Sequence, residues 1–384
     1  MTYAQQRLWS LGLGLSTAAG VASLVACSSM DAAFADSRAG EPSGSFPDAG
    51  SAPSAGDDSD LGPTDNGVIL VHAAGAPSFR LCFANDLDRL PTPDSELMPA
   101  ANVVGVEVGS AVRIPPLNGA PGEVYLYSEP LIRSLYLPGS PGPTCKELID
   151  DPAQSVVPLV LGKIDKSLAT GVHLLVVSGC AKKTPVKSYT KEQCGESYDE
   201  STGNLKVSTI ELTGRTRKSN SELPAQVVHL SQPLESFRGQ RSLKVTFGDV
   251  DAGDAGHTVA AENPPLGGPP TDFASPPTFD PSDVGVYASR GFRITVDDAI
   301  LAEQTMAEVQ VLSAPREVPP TYYAVASNYV LLLLGDPAPK LDDGGLDPSE
   351  RRNLHLLAVP VIQPREADGG AQEPGTSTDA DGGS

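Results

Sequence analysis

Short apolar runs separated by Gly, Pro, Asn and Asp recur along the chain from Val68 to Val361. Runs of this length, rich in β-branched and aromatic residues and bounded by turn formers, read as strands. The pattern predicts strands at Val68–Ala73, Ser78–Phe83, Val124–Tyr127, Val172–Val177, Leu205–Leu212, Ala225–Leu230, Leu243–Phe247, Phe292–Val296, Tyr329–Leu334 and Leu354–Val361. Helical spacing is confined to Cys145–Ile149 and a longer piece near Asp298–Leu312. Many short strands and few helices point to an all-β fold with minor helix, an antiparallel sandwich or barrel. The most apolar run, Tyr329–Gly335 (YVLLLLG), has the length of a buried strand and falls short of a membrane span.

The strands recur in order, as an internal repeat would require. Val71-His72 matches Val228-His229, and Ser78–Phe83 matches Ser242–Phe247. An Asp-x-Asp pair follows each of the latter: Asp86 and Asp88, then Asp249 and Asp251. Val124-Tyr125 is matched with Val286-Tyr287, Thr144–Leu148 with Thr305–Val309, and the run ending at Gly179 with that ending at Gly335. Two tandem, related, antiparallel β-sandwich-like domains are therefore expected, at 67–220 and 221–362. The second has Thr246, Met306 and Asp336 where the first has Cys82, Cys145 and Cys180. The Pro/Gly-rich stretch Asp251–Ser282 is expected to be a long surface loop of the second domain, where function often resides.

Composition changes the picture at both ends. The segments 28–66 and 363–384 are rich in Ala, Gly, Ser, Asp and Pro, with almost no large apolar residues. Such chains do not bury enough surface to offset their entropy, so a disordered tether and a disordered acidic tail are expected. A tether of that length would reach roughly 35 Å, from about 5–6 Å times the square root of its length. The formal net charge of −21 excludes nucleic acid as a partner, since binding it requires a basic footprint. One stretch, Lys163–Lys218, runs against the acidic trend, with Lys182, Lys183, Lys187, Lys191, Arg215, Arg217 and Lys218. It reads either as a solvated loop around a disulfide or as a contact surface for an anionic polymer.

The first 26 residues have the form of a secretory signal: a positive start, the short apolar stretch Leu8–Leu15, and small residues to Ala26. Leu24-Val25-Ala26-Cys27 resembles the lipobox of bacterial lipoproteins, in which the cysteine is lipidated and becomes the first mature residue. That resemblance implies membrane attachment through lipid on Cys27, and the following Ser28 implies the outer membrane. Several acyl chains on one residue suffice for stable anchoring. The four other cysteines, Cys82, Cys145, Cys180 and Cys194, form an even set that in an exported protein favours two disulfides. Three connectivities exist; Cys180–Cys194 as a loop staple with Cys82–Cys145 as the longer bridge is the expected one. A structural zinc site is the competing reading, against which no C-x-x-C pair is present.

Residues with catalytic potential are sparse. His72, His173, His229, His257 and His355 show no H-E-x-x-H spacing, and neither G-x-S-x-G nor a phosphate-binding loop is present. His72 and His229 sit at matching repeat positions, which favours a shared structural role. Asp86 and Asp88, with Asp249, Asp251 and Asp254, are candidate hard-oxygen ligands for calcium, although they lack the loop and distal glutamate of an EF-hand. Acids after a strand more often cap a turn. Tyr322-Tyr323 reads as core rather than as a sugar-binding platform.

The segment Val71-His72-Ala73-Ala74-Gly75-Ala76-Pro77-Ser78-Phe79-Arg80-Leu81 resembles the V-H-A-S-P-x-A-P-x-V-x-V opening of a bacterial extracellular domain of unknown function. Tyr329–Gly335 and Leu354–Pro360 resemble its closing strands, and with the Asp-Ala-Gly-rich tails the chain resembles a myxobacterial cell-surface lipoprotein. The second domain departs from that opening, reading His229-Leu230-Ser231-Gln232-Pro233. The resemblance implies a β fold and an envelope location, and no activity or cofactor. The expected function is a non-enzymatic structural, adhesive or ligand-binding module of the envelope, with an envelope polymer or surface protein as partner. The alternative is a hydrolase of envelope polymers whose site is assembled by the fold.

Overall fold

The computed structural model describes residues 67–93, 105–114, 116–128, 142–150, 157–184, 187–215, 223–250, 256–274, 283–312, 322–325, 328–337 and 353–361. The signal, Cys27, tether and acidic tail lie outside them, as do Asp251 and Asp254. Strands β1 (Gly67–Gly75), β2 (Phe79–Phe83), β3 (Ala111–Ile114), β4 (Gly122–Ser128), β5 (Leu159–Ile164), β6 (Val172–Cys180) and β7 (Lys206–Leu212) belong to the first repeat. Helices α1 (Cys145–Asp150) and α2 (Lys191–Cys194) interrupt them. The second repeat has β8 (Ala225–His229), α3 (Gln232–Arg238), β9 (Leu243–Asp249), β10 (Thr258–Glu262) and a 3₁₀ turn (Val284–Tyr287). It continues with β11 (Arg290–Val296), β12 (Ala299–Thr305), β13 (Gln310–Val311), α4 (Tyr322–Val325), β14 (Asn328–Leu334) and β15 (His355–Val361).

The fold is all-β, built of sandwich-like layers. The described residues form four sheets: β3-β1-β6-β7, β2-β4-β5, β13-β15-β14-β8 and β10-β9-β11-β12. Most pairings are antiparallel, but each inner sheet contains a parallel pair, β1 with β6 at the centre of one and β14 with the edge strand β8 in the other. Alternate residues of these strands explain the packing. Val68 and Leu70 of β1, with Leu175 and Val177 of β6, meet β2 and β4 in one core. Ile69 and Val71, with Leu174 and Val176, point the other way. There they meet Val228, Val330, Leu332, Leu334, Leu357 and Val359 of the second repeat. The opposite faces of β8, β14 and β15 contribute Val227, Leu331, Leu333 and Leu356 to a third core with β9 and β11. The inner sheets are thus apolar on both faces. Such strands show unbroken hydrophobic runs instead of alternation, which accounts for YVLLLLG at β14.

Some pairings and hydrogen bonds recur between the two halves. Phe83 pairs with Val124, and Phe247 pairs with Phe292. Val124 therefore corresponds to Phe292 and not to Val286, which lies in the 3₁₀ turn. The expected match failed because a Val-Tyr dipeptide recurs by composition one turn before the strand. By contrast, Thr144 and Glu147 share a geometry with Thr305 and Glu308. The glutamate accepts from the threonine backbone N–H at 2.8 and 2.9 Å and from its hydroxyl at 3.0 Å in both.

Two expectations are corrected. Asp298–Leu312 is not a helix: Asp297 and Asp298 take φ of +48° and +64°, which turns β11 into β12 as a hairpin. Asp tolerates this left-handed pair better than most residues do, and the helical spacing beyond it is overridden by pairing with β11. The stretch 251–282 is more than a free surface loop. It contains β10, and further on it lies along the open edge of β8, where Thr271 N donates to Val227 O and Val227 N to Thr271 Oγ1, both at 3.0 Å. Ala225 and Ala274 exchange backbone bonds there too. Covering an edge strand in this way removes a template for aggregation.

Candidate functional site

Polar side chains converge where β1 and β8 end. At β8, the chain leaves His229 and enters α3 through Ser231, whose Oγ accepts from Leu234 N at 3.1 Å as an N-cap. Pro233 suits the first turn of a helix, where its missing N–H costs nothing. The same serine hydroxyl donates to Gly335 O and so ties α3 to the end of β14. Glu235 and Arg238, three apart on α3, form a two-point pair at 2.7 and 2.9 Å. His229 Nε2 lies 3.2 Å from the carboxylate of Glu235, beneath the helix.

Histidine, glutamate and serine in one place invite a catalytic reading, and the geometry directs each elsewhere. Ser231 Oγ is engaged on both sides. His229 Nδ1 accepts from the backbone N–H of Ser231 at 3.4 Å, so both ring nitrogens have partners. Burial pushes its pKa down to about 4; Glu235 opposes the shift, and Arg238 reinforces it. His72 repeats the arrangement at the end of β1: Ala74 N donates to its Nδ1 at 3.3 Å, and its Nε2 lies 3.2 Å from Pro77 O. Its ring packs on Phe79, with centroids 4.5 Å apart, and burial again lowers its pKa to about 4. His173 Nε2 contacts Thr170 O at 2.7 Å, and His355 Nε2 contacts Gly109 O at 2.8 Å across the two repeats.

The cysteines form Cys82–Cys145 and Cys180–Cys194. The first joins β2 to α1 beside Tyr127; the second closes a loop that packs Tyr189 and Tyr198 around it. Of the Asp-x-Asp acids, Asp251 and Asp254 lie outside the described residues, and two of the others form ion pairs. Asp86 pairs with Arg89 at 2.8 Å and Asp249 with Arg290 at 3.1 Å. Among the described residues no group of three or more His, Cys, Asp or Glu is placed to hold a metal ion. Within the basic stretch, Lys163, Lys166 and Lys183 pair with Asp165, Glu211 and Glu200, and Lys187 lies over the Tyr189 ring. Tyr322 and Tyr323 are buried, donating to Ala358 O and Met306 O at 2.6 and 3.1 Å.

One polar network was not foreseen. Arg293 on β11 is nearly buried and pairs with Glu303, its neighbour on β12; it also donates to Val250 O at 2.7 Å and approaches His257 Nδ1 at 3.4 Å. The signal was available only after the Asp297-Asp298 turn was recognised, since that turn sets Arg293 opposite Glu303. Comparison with protein-family models, with curated proteins and with solved structures finds no match to this chain.

Proposed function

We propose that this chain is an exported lipoprotein of the bacterial cell envelope, held by lipid on Cys27, which acts on its surroundings through its β module without enzymatic activity. The observation that carries the reading is the partition of its five cysteines. Four are joined in the first repeat, which fits an oxidising compartment. Cys27 is the one that remains, and it sits where a signal ends. The role is structural, adhesive or ligand-binding, with an envelope polymer or surface protein as partner. Support comes from His72, His229 and His355, both of whose ring nitrogens have partners within the fold, and from Ser28, which favours the outer membrane.

Mass spectrometry of the mature protein, with and without reduction, tests the location. The expected species begins at an acylated Cys27 and gains the mass of four hydrogen atoms on reduction of its two disulfides. An unmodified Cys27 would sink the proposal. Pulldown from intact envelopes tests the role: a defined polymer or surface protein is expected, whereas turnover of envelope polymer by the purified chain would establish the hydrolase instead.

A further inference from the structure

The ends of β1 and β8 share a device that depends on protonation. In each, Nδ1 of a buried histidine accepts from the backbone N–H two residues on, from Ala74 in one repeat and Ser231 in the other. A ring nitrogen that accepts must carry no proton. A second proton on either ring sets donor against donor, and the turn has to move.

Both turns lie beneath a contact between the repeats. Gly75, after His72, sits so close to the disulfide loop that a Cβ there would lie 2.5 Å from Cys180 Sγ and 2.8 Å from the Tyr189 ring. That loop carries α2, which packs against α3, with Gly195 next to Gln232. Ser231, after His229, is the cap of α3 itself. Among the described residues, the charged groups acting on the rings are Lys187 of the disulfide loop on His72, and Glu235 and Arg238 of α3 on His229; the backbone carbonyls of Pro77, Ala76 and His72 favour a proton on His72 but are outweighed by burial. The lysine and the arginine resist a further positive charge. Glu235 favours it, but its carboxylate is already engaged by Arg238.

We propose that this end of the molecule is an acid-released clasp, in which protonation of His72 and His229 frees both turns and parts α2 from α3 while the sheets stay folded. Each histidine is held near 4 against an ordinary 6.5. A depressed base stabilises fully above its free value, and that contribution is lost as the pH falls from 6.5 towards 4. At pH 4 the opening equilibrium should rise on the order of a hundredfold for each histidine.

Hydrogen exchange followed by mass spectrometry on the whole protein, corrected for the intrinsic effect of pH, tests this. Between pH 6.5 and 4, protection at 73–77, 191–195 and 231–238 should fall by that factor while β6 and β14 keep theirs. In the H72N/H229N variant, the asparagine oxygen takes the place of Nδ1 and does not titrate, so the loss should disappear. If that variant fails to fold, NMR of the wild-type protein with labelled histidines decides: the His72 and His229 signals should titrate together with the Ala74 and Ser231 amides. Unchanged protection at pH 4, an equal loss in the variant, or titration without amide movement would each overturn the clasp.

Discussion

At Gly179 and Gly335 the backbone takes φ of +83° and +87°, next to the end of the second central strand in each repeat. A Cβ at Gly179 would stand 2.3 Å from Asn204 O, and one at Gly335 would stand 2.0 Å from Asn353 O. Two costs then coincide, the left-handed backbone and a clash with a carbonyl that has little room to retreat. Substitution by alanine at either position should cost about 1–3 kcal/mol. Urea melts of G179A and G335A check this, and a change below a few tenths of a kcal/mol would show that the corner is looser than described. The corresponding asparagines differ in use. Asn204 caps Cys180 N through Oδ1 at 2.8 Å, whereas Asn353 offers its carbonyl to His355 Nδ1 at 2.7 Å.

Among the elements, edge protection is the clearest local design. Besides the Thr271 bonds to β8, β2 is covered by Thr92 and Val106, which bond Leu81 and Phe79. Replacing Thr271 by valine keeps the shape but leaves Val227 N without its acceptor. It should cost about 1–2 kcal/mol and raise the tendency to aggregate, measurable by melting and light scattering. These covers were not legible in the sequence, because single bridges from Pro- and Gly-rich loops leave no periodic trace. The strands buried on both faces were legible, since β1, β6, β8, β14 and β15 carry continuous apolar runs. β5 was not, with Leu159 and Val160 exposed and a glycine at its centre, nor were the short β3 and β13. At the candidate site the paired histidines were legible from the repeat. Their acceptor role was not, because it depends on the turn that follows each strand.

At the scale of the molecule, the two repeats share their middle. Leu332 belongs to the core between the inner sheets, and Leu331, one residue earlier, to the core inside the second repeat. Truncating either to alanine removes a buried leucine and should cost about 2–5 kcal/mol. The consequences should differ in place. L332A is expected to weaken exchange protection in β1 and β6 as well as in β8 and β14, whereas L331A should act first on β9 and β11. Identical protection maps for the two variants would argue against separate cores.

The same shared core makes a stronger claim about the disulfides, both of which lie in the first repeat. In the loop-closure account, a bridge over a separation of 14 contributes about 3 kcal/mol, and one over 63 about 4 kcal/mol. If the repeats were independent, reduction would lower the melting of the first and leave the second untouched. They are not independent here, because the face that the first repeat presents to Val330, Leu332 and Val359 is apolar and packs with them in one core. Unfolding the first repeat would expose that face of the second to water, at a cost of about 25 cal/mol for each Å² uncovered. Reduction should therefore lower the thermal midpoint of both, as one cooperative transition seen alike by the tyrosine cluster of the second repeat and by exchange in the first. Tyr287, Tyr322, Tyr323 and Tyr329 pack ring against ring in the second repeat, so their assigned ring NMR signals, resolved from those of Tyr127, Tyr189 and Tyr198 beside the disulfides, report on it. A tyrosine signal that melts at the same temperature before and after reduction would show that the inner sheets can part without loss of the second fold.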